Sequence, residues 1–574
     1  MPADHTTIRR VEVNSTRALN LASRRRLGLE GIVVPVAVAA IAYLVLVPLV
    51  YLVWRTFFRG GHPTLAVLRH AYAVDGLGTL VSNSLLFGLG ATALAVTLGT
   101  LLAFFVVRTD VPFKGALFAL ILVPLLIPGV LYTISWIFLA SPRSGFLNQL
   151  PGTFDVFSLG GMILVEGLHL TPLVFLLLAA AFRSVDPALE ESALVSSASL
   201  TTLVRRVTLP LVRPALYAAC FIVLVRALEG FEVPALLGIP AHRWVFTSRI
   251  WRALTTYPSD FGSAGAYSVS LLVLTAFGVF LLSRLSPRAP ALQTLTGRGP
   301  RARPLPLGRW RIPITAAIFV YLVVAVVLPL LMLLYVSTQP FYSTPTVHRL
   351  SLTTLSAYSA LAHTGTLHAL RNSLVVCAGA ATAVVALTAV AAWLSVRTRT
   401  RGRWLVDALA SLPIAVPGVV LGAALLFLYL RVSLPVYGTL WILFIGYLTR
   451  FLPYGMRYAS VSLAQIAREL EEAAEVSGAS RWQTLRRVLL PLAAPGLLAG
   501  WLLIVTVSLR ELSSSLLLYS PGNEVLSVRI WLLYQGGQLP DLAALGVVLV
   551  LGLTLLTALA FVCWRRLGVA ARPS

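Results

Sequence analysis

Seven ionisable side chains stand where the chain is otherwise apolar. Arg226, Glu229 and Glu232 are spaced i, i+3, i+6, which places them on roughly one face of a helix. Arg510 and Glu511 occupy a corresponding place later in the chain, and Glu166 and His169 share a third apolar run. A charge at the centre of a membrane helix costs at least about 2.5–3.5 kcal/mol, so each needs a reason. One reading makes Glu166, Arg226, Glu229, Glu232, Arg510 and Glu511 the polar lining of a translocation path, whose carboxylates suit a hard cation. The other makes them ion pairs, such as Arg226–Glu229, that fix helix packing. A conduit must release its cargo, so no tight metal site is expected. No His/Asp/Glu cluster with ligand spacing and no nucleophile–base pair is visible, which argues against an enzyme.

A second kind of polar island occurs twice. Leu189-Glu-Glu-Ser-Ala-Leu-Val-Ser-Ser-Ala-Ser199 runs on to Arg205-Arg-Val-Thr-Leu-Pro210. Leu470-Glu-Glu-Ala-Ala-Glu-Val-Ser-Gly-Ala-Ser480 runs on to Arg486-Arg-Val-Leu-Leu-Pro491. The copies align without a gap, 281 positions apart (190 to 471, 210 to 491). Each reads as two short helices with a bend. Asp186-Pro187 supplies a cap and a first helical residue, the glutamates sit where the helix dipole favours them, and Gly478 allows a sharp turn. A helix merely lying on a membrane has no need of the same sequence twice.

The elements that must position these residues are membrane spans. Of 574 residues 58% are hydrophobic and 11% charged, with a mean hydropathy of +0.87; soluble domains carry about 25% charge. Twelve apolar runs of spanning length lie near 32–54, 82–107, 115–140, 158–182, 211–236 and 264–284, then 312–336, 372–396, 404–430, 438–461, 492–518 and 542–564. The first is a span and not a cleavable signal. The net charge of +24 comes from arginines in short loops, so it orients the chain in a membrane and does not mark a nucleic-acid partner. By the positive-inside rule both termini and both repeated motifs are cytoplasmic. The single lysine, Lys114, is followed by Gly115, so no phosphate-binding GK[ST] loop exists and any ATP use belongs to another polypeptide. The three cysteines are far apart in or beside apolar runs and read as small buried residues.

The repeat reaches beyond the motifs. Asn83-Ser-Leu matches Asn372-Ser-Leu, Val107-Arg-Thr109 matches Val396-Arg-Thr398, and Pro128-Gly129 matches Pro417-Gly418, each 289 apart (83 to 372, 128 to 417). The later drop in offset places an insertion of about eight residues in the external loop 141–161. Two parallel halves follow. The expected organisation is a basic tail (1–30), a first domain (31–285), a Pro/Arg-rich linker that is extended and solvated (286–311), a second domain (312–566) and a short tail (567–574). Pro128, Gly129, Pro417 and Gly418 should kink or break the third span of each half, as a gate hinge or as a packing kink.

At the repeated motif the chain resembles the membrane-spanning permeases of bacterial ABC importers. Their signature is E-A-A, three residues, G, then about nine residues and I-x-L-P. Glu472-Ala473-Ala474, Gly478 and Val488-x-Leu490-Pro491 fit it; the first copy keeps Glu191 and Ala193 but has Ser192 for Ala and Ser197 for Gly. The resemblance implies an all-α fold of two tandem six-helix permease domains in the bacterial inner membrane. It implies that the two motifs, with Glu190, Glu191, Ala193, Ser197, Glu471, Glu472, Ala473, Ala474 and Gly478, are coupling helices for two copies of an ATPase subunit. That subunit would bind ATP and magnesium, this chain would hold no cofactor, and a solute-binding protein would deliver cargo. Ala227-Leu-Glu-Gly-Phe-Glu-Val-Pro-Ala-Leu-Leu-Gly238, Arg510-Glu-Leu-Ser-Ser-Ser-Leu-Leu-Leu518 and Val525-Leu-Ser-Val-Arg-Ile-Trp531 look like the ferric-iron importers. Permeases for polyamines, thiamine, sulfate and phosphonates share much of that pattern. The rival class is a secondary transporter of six-plus-six spans, which has no use for a pair of coupling motifs.

Overall fold

The computed structural model describes residues 30–73, 76–149, 154–196, 199–285, 304–363, 365–398 and 402–566. The two tails to 29 and from 567, the linker stretch 286–303 and Ser197 lie outside them. Apart from a two-residue hairpin, Phe58–Arg59 with His62–Pro63, the architecture is helical. Nine helices among the described residues are long and apolar enough to cross a membrane, or eleven if each of two bent pairs counts as one span. Leu440–Ala464 has spanning length as well but, interrupted by Arg450 and Arg457, does not reach the same apolarity. In chain order the spans are 1 (Glu30–Phe57), 2 (Leu77–Arg108), 3 (Lys114–Leu126 with Gly129–Ala140), 4 (Leu159–Arg183), 5 (Val204–Glu229) and 6 (Phe261–Leu285). The second half repeats them as 7 (Gly308–Ser337), 8 (Thr366–Arg397), 9 (Arg403–Ala415 with Gly418–Tyr429), 10 (Leu440–Ala464), 11 (Arg481–Ser508) and 12 (Leu539–Arg566).

Local chemistry explains most boundaries. Ser158 caps span 4 by accepting from Gly161 N at 3.0 Å, and Thr439 does the same for span 10. Ser480 and Gln483 form a reciprocal capping box ahead of span 11. Just before Pro210, Pro329 and Pro491 begin their helices, the backbone opens into a π turn at Val204–Thr208, Val323–Val327 and Leu485–Leu489. Proline has no N–H to close an ordinary turn there.

Spans 2 and 4, and likewise 8 and 10, touch through small residues, the usual solution where lipid removes the hydrophobic drive for helix association. A Cβ on Gly99 would fall 2.5 Å from Val174 Cβ, and one on Gly455 would fall 2.5 Å from Val384 Cγ1 and 2.6 Å from Thr388 Oγ1. Gly455→Leu is therefore expected to destabilise by about 1–3 kcal/mol or more through overpacking. A lowered thermal midpoint of the purified protein reads this, with Gly552→Leu, whose Cβ meets nothing within 4 Å, as the neutral control. An unchanged midpoint for Gly455→Leu would refute the close packing.

The first span of each half clasps the opposite half. Ile41 and Val45 of span 1 are buried with Ala391, Val406, Leu452 and Met456 of the second half. Tyr132 of span 3 donates to Ala325 O of span 7 at 3.0 Å. Of the two outcomes expected at the Pro-Gly pairs, a kink or a break, the third span of each half shows the break, with bends of 99° and 106°. The fifth and eleventh runs, expected to continue to 236 and 518, stop as helices at Glu229 and Ser508. Gly230 is extended there (φ −53°, ψ 126°), so Glu232 does not continue the face of Arg226 and Glu229. At the described end of the linker Pro304, Pro306 and Arg309 are exposed, but Leu305 is not. Leu305 is buried and pairs with the end of span 2, its N donating to Arg108 O at 2.8 Å and its O accepting from Asp110 N at 3.2 Å. Backbone groups left open past the helix end find partners there, and an apolar side chain leaves water.

Candidate functional site

Two sites emerge, one at the centre of the bundle and one at the repeated polar motifs. The central one is built by the helix breaks. Ile127 and Val416, each ahead of a proline, are extended (ψ 124° and 113°), as the proline ring demands. Such a break strands carbonyls at membrane depth, which is tolerated only inside protein or along a wet cavity. Basic side chains answer them. Arg450 Nη1 donates to Val416 O at 2.7 Å. His169, which matches Arg450 by the repeat offset (169 to 450), lies in hydrogen-bonding reach of the Ile127 backbone. Arg510, from the second half, donates to Leu125 O of the first.

The carboxylates gather on the same breaks. Arg450 bridges the halves: its Nη2 lies 3.4 Å from Glu229 Oε2 and its Nε 3.7 Å from Glu511 Oε2. Arg226 lies 3.9 Å from Glu229 Oε2 and donates to the Tyr454 hydroxyl across the interface. Glu511 Oε1 accepts from Ser514 N at 3.0 Å and Ser514 Oγ at 3.1 Å. Glu229 is buried, and its Oε1 has no hydrogen-bond partner among the described residues. Glu166, Glu232 and His169 complete the wall of a cavity of about 260 Å³. The break glycines are close-approach positions: a Cβ on Gly129 would stand 3.4 Å from His169 Cε1, and one on Gly418 would stand 3.0 Å from Glu511 Oε1.

All six path candidates therefore meet in one place. Arg226, Glu229 and Glu511 are ion-paired, and the same groups line a cavity. Arg450, which stands at the centre, was not anticipated. Its signal is an arginine inside an apolar run, at the position where the other half has His169. Among the described residues no group of three His, Cys, Asp or Glu side chains could hold a metal ion.

The coupling motifs form helices Pro187–Val195 and Glu469–Val476. Their two glutamates have different fates. The first of each pair is anchored by an arginine at the end of the second span of its half. Glu190 is buried against Arg108 and also accepts from Thr208 Oγ1 at 2.9 Å. Glu471 lies 2.8 Å from Arg397 Nη1, while Arg397 Nη2 donates to Leu463 O and Ile466 O. Glu191 and Glu472 are exposed, as is Ala473, whereas Ala193 and Ala474 are half-buried. Gly478 makes its bend at φ +80°, a conformation that favours glycine. Val195 and Val476, matched by the offset, are 87% and 90% exposed, and Leu189 and Leu470 are 46% exposed each. Each arm thus presents an apolar tip. Arg108 and Arg397 are themselves a matched pair of the repeat, but a sequence cannot say what an arginine at a span end will hold.

The family described as binding-protein-dependent transport system inner membrane component matches residues 95–290 and 384–568, once in each half. The chain belongs to this family. It is a fused double-domain ABC importer permease, a multi-pass protein of the inner membrane and not a catalytic subunit. A putative ferric transport system permease protein FbpB 1 of Haemophilus influenzae is 26% identical over 467 residues, covering 78% of this chain and 70% of that protein. A second from the same organism, the Fe(3+)-transport system permease protein FbpB 2, is 24% identical and covers 79% of this chain and 84% of its own. A putative 2-aminoethylphosphonate transport system permease protein PhnV of Salmonella typhimurium is 35% identical over 139 residues, which is 24% of this chain and 52% of that protein.

Proposed function

We propose that this permease imports ferric iron, handed over by a solute-binding protein and driven by two copies of an ATPase subunit. The observation that carries the transport mechanism is the pair of arms with exposed, matched tips at Val195 and Val476, each tied by an ion pair to the second span of its half. An ATPase groove that receives such a tip can move a span by moving the arm. ATP and magnesium stay with that subunit. The arms face the cytoplasm, and an even number of spans returns both termini there.

The likeness over most of the chain to two permeases named for ferric transport supports the cargo. The central carboxylates suit a hard cation, and Glu229 Oε1 has no hydrogen-bond partner among the described residues to compete with one. Pro128-Gly129 and Pro417-Gly418, already broken, are the places where the path opens. The test is ATP hydrolysis by the chain with its ATPase in lipid nanodiscs. Ferric-loaded binding protein should stimulate it and the empty form should not. Stimulation by an aminoethylphosphonate-loaded binding protein instead would overturn the iron reading and keep the permease.

A further inference from the structure

At the end of the bundle opposite the coupling arms lies a cavity of about 650 Å³ between span 1, the start of span 6 and the end of span 9. Span 2 fixes its side: one end carries Arg108, paired to the coupling arm, and the other begins at Leu77 beside this cavity's loops. We propose that this cavity binds the phosphate headgroup of an anionic phospholipid in the leaflet away from the ATPases. The proposal does not depend on the cargo.

The charge is the first argument. Arg55 and Arg431 line the cavity, and neither has a salt bridge to a carboxylate among the described residues. The acidic residue in the lining is Asp260, which accepts from Ser263 N at 3.0 Å and from Ser263 Oγ and lies 3.8 Å from His70 Nε2. Two guanidinium groups from opposite halves of the protein are left to a phosphate, the anion their planar donor forks match.

The walls are the second. Phe261 packs edge-on to Phe427 at 5.5 Å, and Phe58 stacks on Trp54 at 4.0 Å. Trp54 is half-exposed, in the manner of side chains that mark the headgroup level of a bilayer. Below it, Val50, Val47 and Tyr43 leave span 1 an exposed apolar face along which acyl chains can lie.

The repeat supplies an internal control. Phe427 matches Phe138 (138 to 427), at the outer end of the broken span in the other half. There the chain plugs its own seam: Tyr342 stacks on Phe138 at 4.9 Å and donates to Ser144 O at 2.7 Å. The fold thus permits a closed seam, and the open one carries the arginines.

The test uses the full chain purified from its membrane, with bound lipids measured by mass spectrometry. Phosphatidylglycerol should be retained over phosphatidylcholine. Arg55→Gln/Arg431→Gln should lose that preference roughly 10–30-fold, since each basic residue near an anionic surface contributes about fivefold. Arg55→Lys/Arg431→Lys should keep most of it, which separates lost charge from lost folding, and Arg371→Gln, exposed at the same end in span 8, should change nothing. Equal retention by the Gln pair and the native chain would overturn the site. So would inorganic phosphate protecting against heat as well as phosphatidylglycerol does, since the ligand would then be a free anion. Loss of binding-protein affinity in the Gln pair with lipid retention unchanged would overturn it too, by giving the surface to that partner.

Discussion

Arg450→Ala is expected to reduce uptake to about a hundredth or less of the native rate, because removing one member of a buried charge network costs about 3–5 kcal/mol. Arg450 neutralises Glu229 of one half and Glu511 of the other while it satisfies Val416 O at the break of span 9. Its loss leaves two carboxylates facing one another and a carbonyl without a donor at membrane depth. Arg450→Lys keeps a charge but not the fork; one ammonium cannot reach three acceptors on two sides, so uptake should recover only in part. Glu229→Gln should be milder, since Arg226 and Arg450 both keep another partner, Tyr454 and Glu511. Uptake must be normalised to protein inserted in the membrane, with ATP hydrolysis of the assembled complex measured alongside. Native uptake by Arg450→Ala would show the bridge to be incidental.

The contrast between Arg450 and the coupling arms shows what a sequence can carry. The arms were legible because they are local and written twice; two copies at one offset are their own evidence. The bundle and its two halves were legible for the same reason, through apolar length and repetition. Arg450 was not, since its partner Glu229 lies 221 positions away and nothing in the run around it announces a broken helix in a third element. The breaks were legible as places and not as angles, because proline and glycine mark an interruption without its size. Glu232 was assigned to the face of Arg226 by spacing alone, and Gly230 ended that helix two residues too soon. The exchange of first spans, seen in Ile41 and Val45 among residues of the second half, depends on which apolar faces meet, and every span offers one. The insertion that the offset change locates in 141–161 bears on the same point. That loop holds Ser144, whose carbonyl accepts from Tyr342 over one seam, and so the two halves differ where their repeats diverge.

The anchors of the arms give the other large effect. Arg397→Glu sets a second carboxylate against Glu471, leaves Ile466 O without the arginine and leaves Leu463 O with only its backbone donor, Ile466 N. The arm should detach from the end of span 8, although its helix and its exposed tip remain. The ATPase can then still find a tip but cannot move the span behind it. The expected result is therefore not loss of the complex. It is an assembled complex whose ATP hydrolysis no longer answers to loaded binding protein, with uptake down by about tenfold or more for a buried charge left unpaired. Arg397→Glu with Glu471→Arg should restore part of the coupling, because the pair re-forms while the arginine's bonds to Leu463 O and Ile466 O stay lost. The cycle of single and double variants isolates the pair from the rest. Arg108→Glu should be at least as severe, since Glu190 is more deeply buried than Glu471 and holds Thr208 as well. Native stimulation in Arg397→Glu would mean that force passes into the membrane by another contact. The π turns at 204–208 and 485–489, which join each arm to the following span, would then be the elements to test.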